Sequence, residues 1–396
     1  MKLTSLERRL AITVSGIYGL RMFGLFLVMP VLMVYASDFP DYTPAMAGLA
    51  IGIYGLGQAF LQIPLGYLSD RIGRKPVIIF GLLIFALGSY VAAQAESLTV
   101  LVLGRALQGA GAIASTLMAF VSDLSRPEVR SKLMASIGAT IGLAFVLSMS
   151  LGPWLTTLIG VPGLFYLIIA LSMLALAVII FMVPKEQRHN DDAYVLPAKA
   201  QMHSVFANQQ LQILNFSIFA LHLFLTAIFV VVPLQLIKLE QPLESHSIIY
   251  LSLMVASFLA MLPLMIWVEK RKQHPLGMRI AVSILLVAML IILQAQSLWG
   301  WILSLGLFFV AFNFLEASIP AMVSRVCGSQ QRGTAMGFYS TGQFFGAFLG
   351  GLLAGYLLQH AGSLAVFWLL SGLAFVWLVV IWLWFKPLSD SEVTDE

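Results

Sequence analysis

Runs of 18 or more residues without a single charge recur along this chain, and they limit the folds open to it. Each run is long enough to cross the roughly 30 Å of a bilayer's hydrocarbon core as a helix. Hydrophobic residues make up 60% of the 396 residues and charged residues only 10%. Globular domains are ordinarily about a quarter charged, so no soluble core could hide this much apolar surface. Lipid is the natural solvent. The first apolar run follows Arg8 and Arg9 and continues over 10–36, too long for the core of a signal peptide, so it reads as a retained first helix. Cys327 is the only cysteine, which excludes an internal disulfide. The net charge of +4 reflects the sidedness of the loops and gives no reason to expect a nucleic-acid partner.

Twelve spans are expected, over 10–36, 45–69, 76–95, 97–121, 132–159, 162–183, 209–236, 246–269, 276–296, 298–324, 333–358 and 363–386. The longest polar stretch, "PKEQRHNDDAYVLPAKAQMHS", starts at Pro184. It divides the chain into an N-terminal bundle (1–183), a linker (184–208) and a C-terminal bundle with a short tail (209–396). With the N-terminus inside, all but Arg21, Arg105 and Lys238 of the 22 basic residues fall on one side. Basic loops stay in the cytoplasm, so both termini are expected there, in a multi-pass inner-membrane protein.

The halves look duplicated. A shift of 199 lays "IPLGYLSDRIGRKPV" on "LPLMIWVEKRKQHPL", with Pro64 on Pro263, Asp70 on Glu269 and Pro76 on Pro275. A shift of 202 puts Arg130 on Arg332, Met134 on Met336 and Gly160 on Gly362. The fold class expected is an all-α polytopic membrane protein, twelve transmembrane helices in two six-helix bundles. Repeats of this kind mark carriers whose halves rock around a central site.

The loop "IPLGYLSDRIGRKPV" places Asp70, Arg71, Arg74 and Lys75 between long apolar runs. Sidedness explains the three bases. It does not explain Asp70, or the glycines Gly66 and Gly73. An acid four residues before a base can pair with it across one helical turn. Gly66 to Lys75 resembles the signature between helices 2 and 3 of the major facilitator superfamily. The stretch "LGRALQGAGAIAS" on span 4 resembles a second family motif, whose arginine falls on Arg105. The similarity is to the drug–proton antiporter branch and runs through all twelve spans. It implies that Asp70 faces the start of helix 11, around Arg332 to Ala335. It also implies that Arg74 pairs with Asp123, together forming a cytoplasmic gate with Gly66, Arg71 and Gly73. From sequence alone, an acid at a helix end, as Asp123 is, most often marks a solvated terminus. Two features depart from the family pattern. In "GLAFVLSMSLGPWLTT", Ser148 and Thr156 stand where glycine is usual, which loosens the case for efflux. The resembling pattern also adds a cytoplasmic domain after helix 12, while about ten residues follow Phe385 here, so that domain's role is expected to be absent or supplied elsewhere.

Among titratable residues in the spans, where charge costs a few kcal/mol, four stand out. They are Arg21 on span 1, Arg105 on span 4, His222 on span 7 and Glu316 on span 10. Snorkelling toward the outer surface accounts for Arg105 equally well. A neutral histidine bonded to a backbone carbonyl is the plain alternative for His222, whose ordinary pKa near 6.5 suits proton exchange. Glu316 sits three residues from Asn313 on one helical face. In the resembling family, spans 1, 7 and 10 line the cavity, and Arg21, His222 and Glu316 match corresponding positions. Glu316 and His222 are therefore expected to handle the proton, with Arg21 tuning them. Tyr54, Gln58 and Gln62, then Asn215, Tyr339 and Gln343, outline a substrate cavity with Arg105 and Asn313; interhelical hydrogen bonding explains such residues as well. The stripe Gly342, Gly346, Gly350 reads as close helix packing.

"GAGAIA" imitates a dinucleotide loop but has no strand before it. No Gly-Lys-Ser or Gly-Lys-Thr occurs, so an ion gradient rather than ATP is the expected energy source. No cofactor and no metal are expected. The expected partners are protons, the lipid bilayer and a small amphipathic or hydrophobic substrate, with the chain acting as a monomer. A metabolite symporter or facilitator of the same fold is the alternative, and a non-transporting receptor or enzyme a distant third.

Overall fold

The computed structural model describes residues 3–183, 198–327 and 331–385. The linker up to residue 197, the tail after Phe385 and the side chain of Arg332 lie outside the described residues. The described chain folds as helices in the order α1 (Ser5–Leu27), α2 (Leu32–Ala36), α3 (Pro44–Ile72), α4 (Arg74–Ala93), α5 (Leu98–Ala110), α6 (Ala114–Leu124), α7 (Pro127–Ala177), α8 (Ala198–Ala207), α9 (Gln209–Lys238), α10 (Leu243–Arg271), α11 (His274–Gln294), α12 (Leu298–Val326) and α13 (Arg332–Trp384). Only helices satisfy their own backbone groups in hydrocarbon, which is why sequences this apolar take this form.

Among the described residues, ten helical segments are long and apolar enough to cross a membrane. Two of them, α7 and α13, each hold a pair of the expected spans, joined at Gly160 (φ 68°, ψ 171°) and Gly362 (φ 79°, ψ 177°). Both glycines take the left-handed φ that side chains resist, so the chain reverses there without a loop. The pair that the repeat aligned by sequence thus shares one backbone conformation. Spans 1 and 4 are not continuous, contrary to expectation. The first breaks between Leu27 and Leu32, around Pro30, and the fourth between Ala110 and Ala114. Part of the expected linker, Ala198–Ala207, is helical.

The chain divides into two compact units. One holds the chain to the end of the sixth span together with Thr226–Leu251 and Gly351–Gln359; the other holds Leu225 and the residues before it back to α8, Ser252–Gly350, and the chain from His360. In the first unit, a Cβ on Gly48 would lie 2.4 Å from the Gly351 carbonyl oxygen, and one on Gly109 would lie 2.3 Å from the Tyr54 carbonyl oxygen. In the second, the glycine stripe of α13 rests on the backbone of α9: a Cβ on Gly346 would lie 2.0 Å from the Phe219 carbonyl oxygen, and one on Gly350 2.3 Å from that of Leu223. Small residues allow backbones to meet, the usual basis of helix association where lipid removes the hydrophobic drive. The outward faces are apolar, as Phe80, Leu83 and Leu87 on one side of α4 show, at 54%, 45% and 50% exposed.

Candidate functional site

The break in span 4 organises the first unit's polar cluster. A helix interrupted inside hydrocarbon leaves carbonyl groups that must find donors, each unmet group costing several kcal/mol. Two side chains supply them. Gln58 Nε2 donates to the Gly109 carbonyl at 2.8 Å, and Arg21 Nη2 donates to that of Gly111 at 2.9 Å. The same Arg21 nitrogen donates to Tyr54 Oη at 3.1 Å, and its guanidinium lies 5.7 Å from the Phe85 ring centre. The "GAGAIA" stretch is therefore the helix break itself. Arg21 Nε and Nη1 and the carbonyl oxygens of the Gln58 and Gln62 side chains are buried without a partner among the described residues.

Arg105 does not snorkel. It is 3% exposed and donates through Nη1 to Gln108 Oε1 at 2.6 Å and through Nε to the Ala50 carbonyl at 3.3 Å. Gln108 passes the chain on to Ser89 Oγ at 2.7 Å. Arg105 also sits 5.4 Å from the centre of the Tyr54 ring, which thus has an arginine on either flank. Gln108 escaped notice in the sequence, although it lies three residues from Arg105, on the same helical face.

The second unit holds the other cluster. The glycine stripe brings α13 against α9, and Gln343 Nε2 reaches His222 Nε2 at 2.8 Å. Gln343 Nε2 also donates to Glu316 Oε1 on α12 at 3.4 Å, and Glu316 Oε2 lies 3.8 Å from His222 Nε2. His222 Nδ1 stands 3.3 Å from the Ile218 carbonyl, one turn back. That contact assigns the proton to Nδ1 and leaves Nε2 as the acceptor for Gln343. His222 is thus bonded to the backbone of its own helix, with the Glu316 carboxyl group beside it. Asn313 turns away from Glu316 and donates to Ser257 Oγ at 3.1 Å. Tyr339 is buried one turn before Gln343, and the backbone carbonyl of Asn215 lies 3.3 Å from where a Cβ on Gly342 would sit. The bonds of Arg21 stay within the first unit and those of His222 and Glu316 within the second.

In the loop after α3, Arg74 pairs with Asp70 one turn earlier and reaches Asp123 Oδ2 at 2.9 Å. Arg74 Nη1 also donates to Ser69 Oγ at 2.7 Å, and Ser69 in turn donates to the Gly66 carbonyl at 2.6 Å. Gly73 at φ 99° ends α3 and starts α4 in a single residue, which explains the second glycine. Arg71 stacks on Tyr67, 4.6 Å from its ring centre. Three further contacts were missed. Glu269, the repeat counterpart of Asp70, pairs with Arg325 at 2.9 Å, with His274 alongside at 3.9 Å. Glu7, 3% exposed, pairs with Arg126 at 2.7 Å. Asp41, in the loop before α3, accepts the Leu98 N–H at 2.8 Å at the start of α5. That bond holds its carboxyl below the usual carboxylate range. Glu7 and Glu269 lie at helix ends and Asp41 in a loop, and no spacing in the sequence ties any of them to its partner. No group of three or more His, Cys, Asp and Glu suited to a metal ion occurs among the described residues.

The sequence profile described as Major Facilitator Superfamily matches residues 14–312 and, in a second match, 214–395. The inner membrane transport protein YajR of Escherichia coli (strain K12) is 40% identical over 380 residues, spanning 96% of this chain and 84% of that protein. The multidrug resistance protein MdtL of Shewanella sp. (strain ANA-3) is 30% identical over 175 residues, 42% of this chain and 44% of that protein. Among solved structures, an auto-inhibited peptide transporter of the POT family superposes with a TM-score of 0.74 at 14% identity, covering 95% of this chain and 96% of that one. Family and relatives make this a transporter of the inner membrane rather than an enzyme. The chain belongs to the Major Facilitator Superfamily.

Proposed function

We propose that the chain is a proton-driven efflux carrier of small amphipathic or hydrophobic molecules. The observation that carries this reading is the contact of His222, Gln343 and Glu316 inside membrane-spanning helices. An acid within a span is costly and rare without a task, and here it lies beside the one side chain type that titrates near neutrality unaided. The Gln343 amide donates to the lone pair of His222 Nε2. A proton arriving at Nε2 turns that acceptor into a donor facing a donor. Gln343 must then release the ring or turn its carbonyl oxygen toward it, while Glu316 gains a cation 3.8 Å away. Proton arrival therefore rearranges the contact between α9, α12 and α13, which is what coupling requires.

In this reading residues 1–183 and 209–396 move as two bundles, with both termini in the cytoplasm and the monomer as the working unit. Asp70, Arg74 and Asp123 brace the cytoplasmic ends, and Arg21 biases the proton site. Support for a drug-like substrate comes from the name of the relative MdtL. Import by symport would use the same cluster, so direction decides between the two. Purified carrier in proteoliposomes, given ethidium and an imposed pH gradient, separates them: antiport moves dye against the proton flux and symport moves it along. Dye movement that ignores the gradient would remove proton coupling altogether.

A further inference from the structure

One face of α11 does not complete its packing. A cavity of about 300 Å³ runs along it, walled by Leu276, Ile280, Ile284 and Val287, by Leu307 of α12 and by Trp382 near the end of α13. The α11 positions fall at helical spacing from Leu276 to Val287, about 16 Å along the axis. A second cavity of about 440 Å³ shares Val287 and continues toward Gln294. Val287 and Trp382 are 47% and 56% exposed, so the groove opens sideways, toward lipid.

The groove has a charged end. Arg279 lines it, lies 4.5 Å from the centre of the Trp382 ring and donates to the Phe385 carbonyl at 3.4 Å. Its Nε is buried and has no partner among the described residues. No acid among the described residues bonds to it. Arg279 sits five residues into α11, just beyond the basic turn of Lys270, Arg271 and Lys272. The positive-inside rule sets that end at the cytoplasmic leaflet, and a tryptophan beside an arginine is what the headgroup level favours. The other end of the groove carries neutral Gln294 and Gln296. An apolar channel open to lipid, closed at headgroup depth by a guanidinium with donors to spare, is complementary to an acyl chain joined to an anionic phosphate.

We infer that this groove binds an anionic phospholipid of the cytoplasmic leaflet, its phosphate on Arg279 and one acyl chain along α11. The site is independent of the proton cluster and of the transport direction. A wedge between α11, α12 and α13 would brace the helices that carry Glu316 and Gln343.

The purified full-length chain, titrated with dioleoyl phosphatidylglycerol and with dioleoyl phosphatidylcholine and read by native mass spectrometry, tests this. The expected result is phosphatidylglycerol held about tenfold or more tightly, the scale of one charge-assisted contact. Arg279→Gln should erase the preference, Arg279→Lys should keep most of it, and Arg271→Gln should leave it intact. Ser283→Trp, which fills the groove, should weaken both lipids. Equal affinity for the two lipids in the unaltered chain would overturn the proposal without needing any variant. So would an equal effect of Arg271→Gln, which would mean diffuse surface charge. Displacement of the lipid by glycerol phosphate alone would overturn it too, since the site would then be one for free anions.

Discussion

Gln343 on α13 donates to His222 on α9 at 2.8 Å, across a seam where Gly346 and Gly350 bring the two backbones together. The seam and the bond are linked by helix geometry. Gly346 lies three residues after Gln343, and Phe219 three residues before His222, so the close approach at one pair sets the reach of the other. On the proposed role, substituting Gln343→Leu leaves His222 Nε2 without its donor, and the pH profile of dye transport should shift while the protein stays folded. A profile that stays put while the maximal rate alone falls would reduce Gln343 to a packing residue.

Asp41 offers a pH test away from the transport site. Its carboxylate accepts two N–H groups at the start of α5, from Leu98 at 2.8 Å and Thr99 at 3.4 Å. Those bonds favour the charged form and lower its pKa in the folded protein. The stabilisation is therefore fully present above the ordinary carboxylate range and fades as pH falls through the lowered value. Melting temperatures of the unaltered chain and Asp41→Ala should differ at neutral pH and converge in acid. A difference that persists unchanged in acid would assign the effect to packing rather than to charge.

Arg74 should matter for conformation more than for stability. It is 15% exposed, but its partners Asp70 and Asp123 are 55% and 48% exposed. Pairs so open to solvent contribute about 0.2–1 kcal/mol each. Asp70→Asn, Asp123→Asn and the double variant should leave the melting temperature nearly unmoved. That energy is still enough to shift a two-state population several-fold, so, on the proposed gating role, spin-label distances across the helix ends that carry the α3–α4 loop should change. An unaltered distance distribution in all three variants would remove the loop from the gating scheme.

Much of this was legible in the sequence because the bilayer leaves few options. Uncharged runs of fixed length name the spans, and the shift of 202 residues that aligned Gly160 with Gly362 found two turns with φ of 68° and 79°. Arg74 could be paired with Asp123 because the resembling motif carries both, and with Asp70 because the two lie four residues apart, the spacing of one helical turn. His222 and Glu316 stood out because titratable groups in spans are rare. The interruption at Gly111 was not legible, since "GAGAIA" is apolar throughout and helix breaks inside a span leave no charge to mark them. Arg21 could be singled out but not its acceptor, because that acceptor exists only where the backbone of span 4 departs from the helix. Gln343 was read as a cavity residue, and its tie to both His222 and Glu316 depends on how closely two backbones meet, which residue spacing alone does not report.

In the proposed mechanism Glu316 is the carboxylate on which coupling depends, and gradient-driven uptake into inverted vesicles by Glu316→Gln tests that most directly. Glutamine keeps the shape and a hydrogen-bonding partner for Gln343 but cannot exchange a proton. The expected result is a variant that still binds ethidium and exchanges it across the membrane, yet fails to accumulate it when a pH gradient is imposed. Glu96→Gln, in the loop before α5, serves as the control and should accumulate dye normally. Accumulation by Glu316→Gln at the rate of the unaltered chain would contradict the assignment.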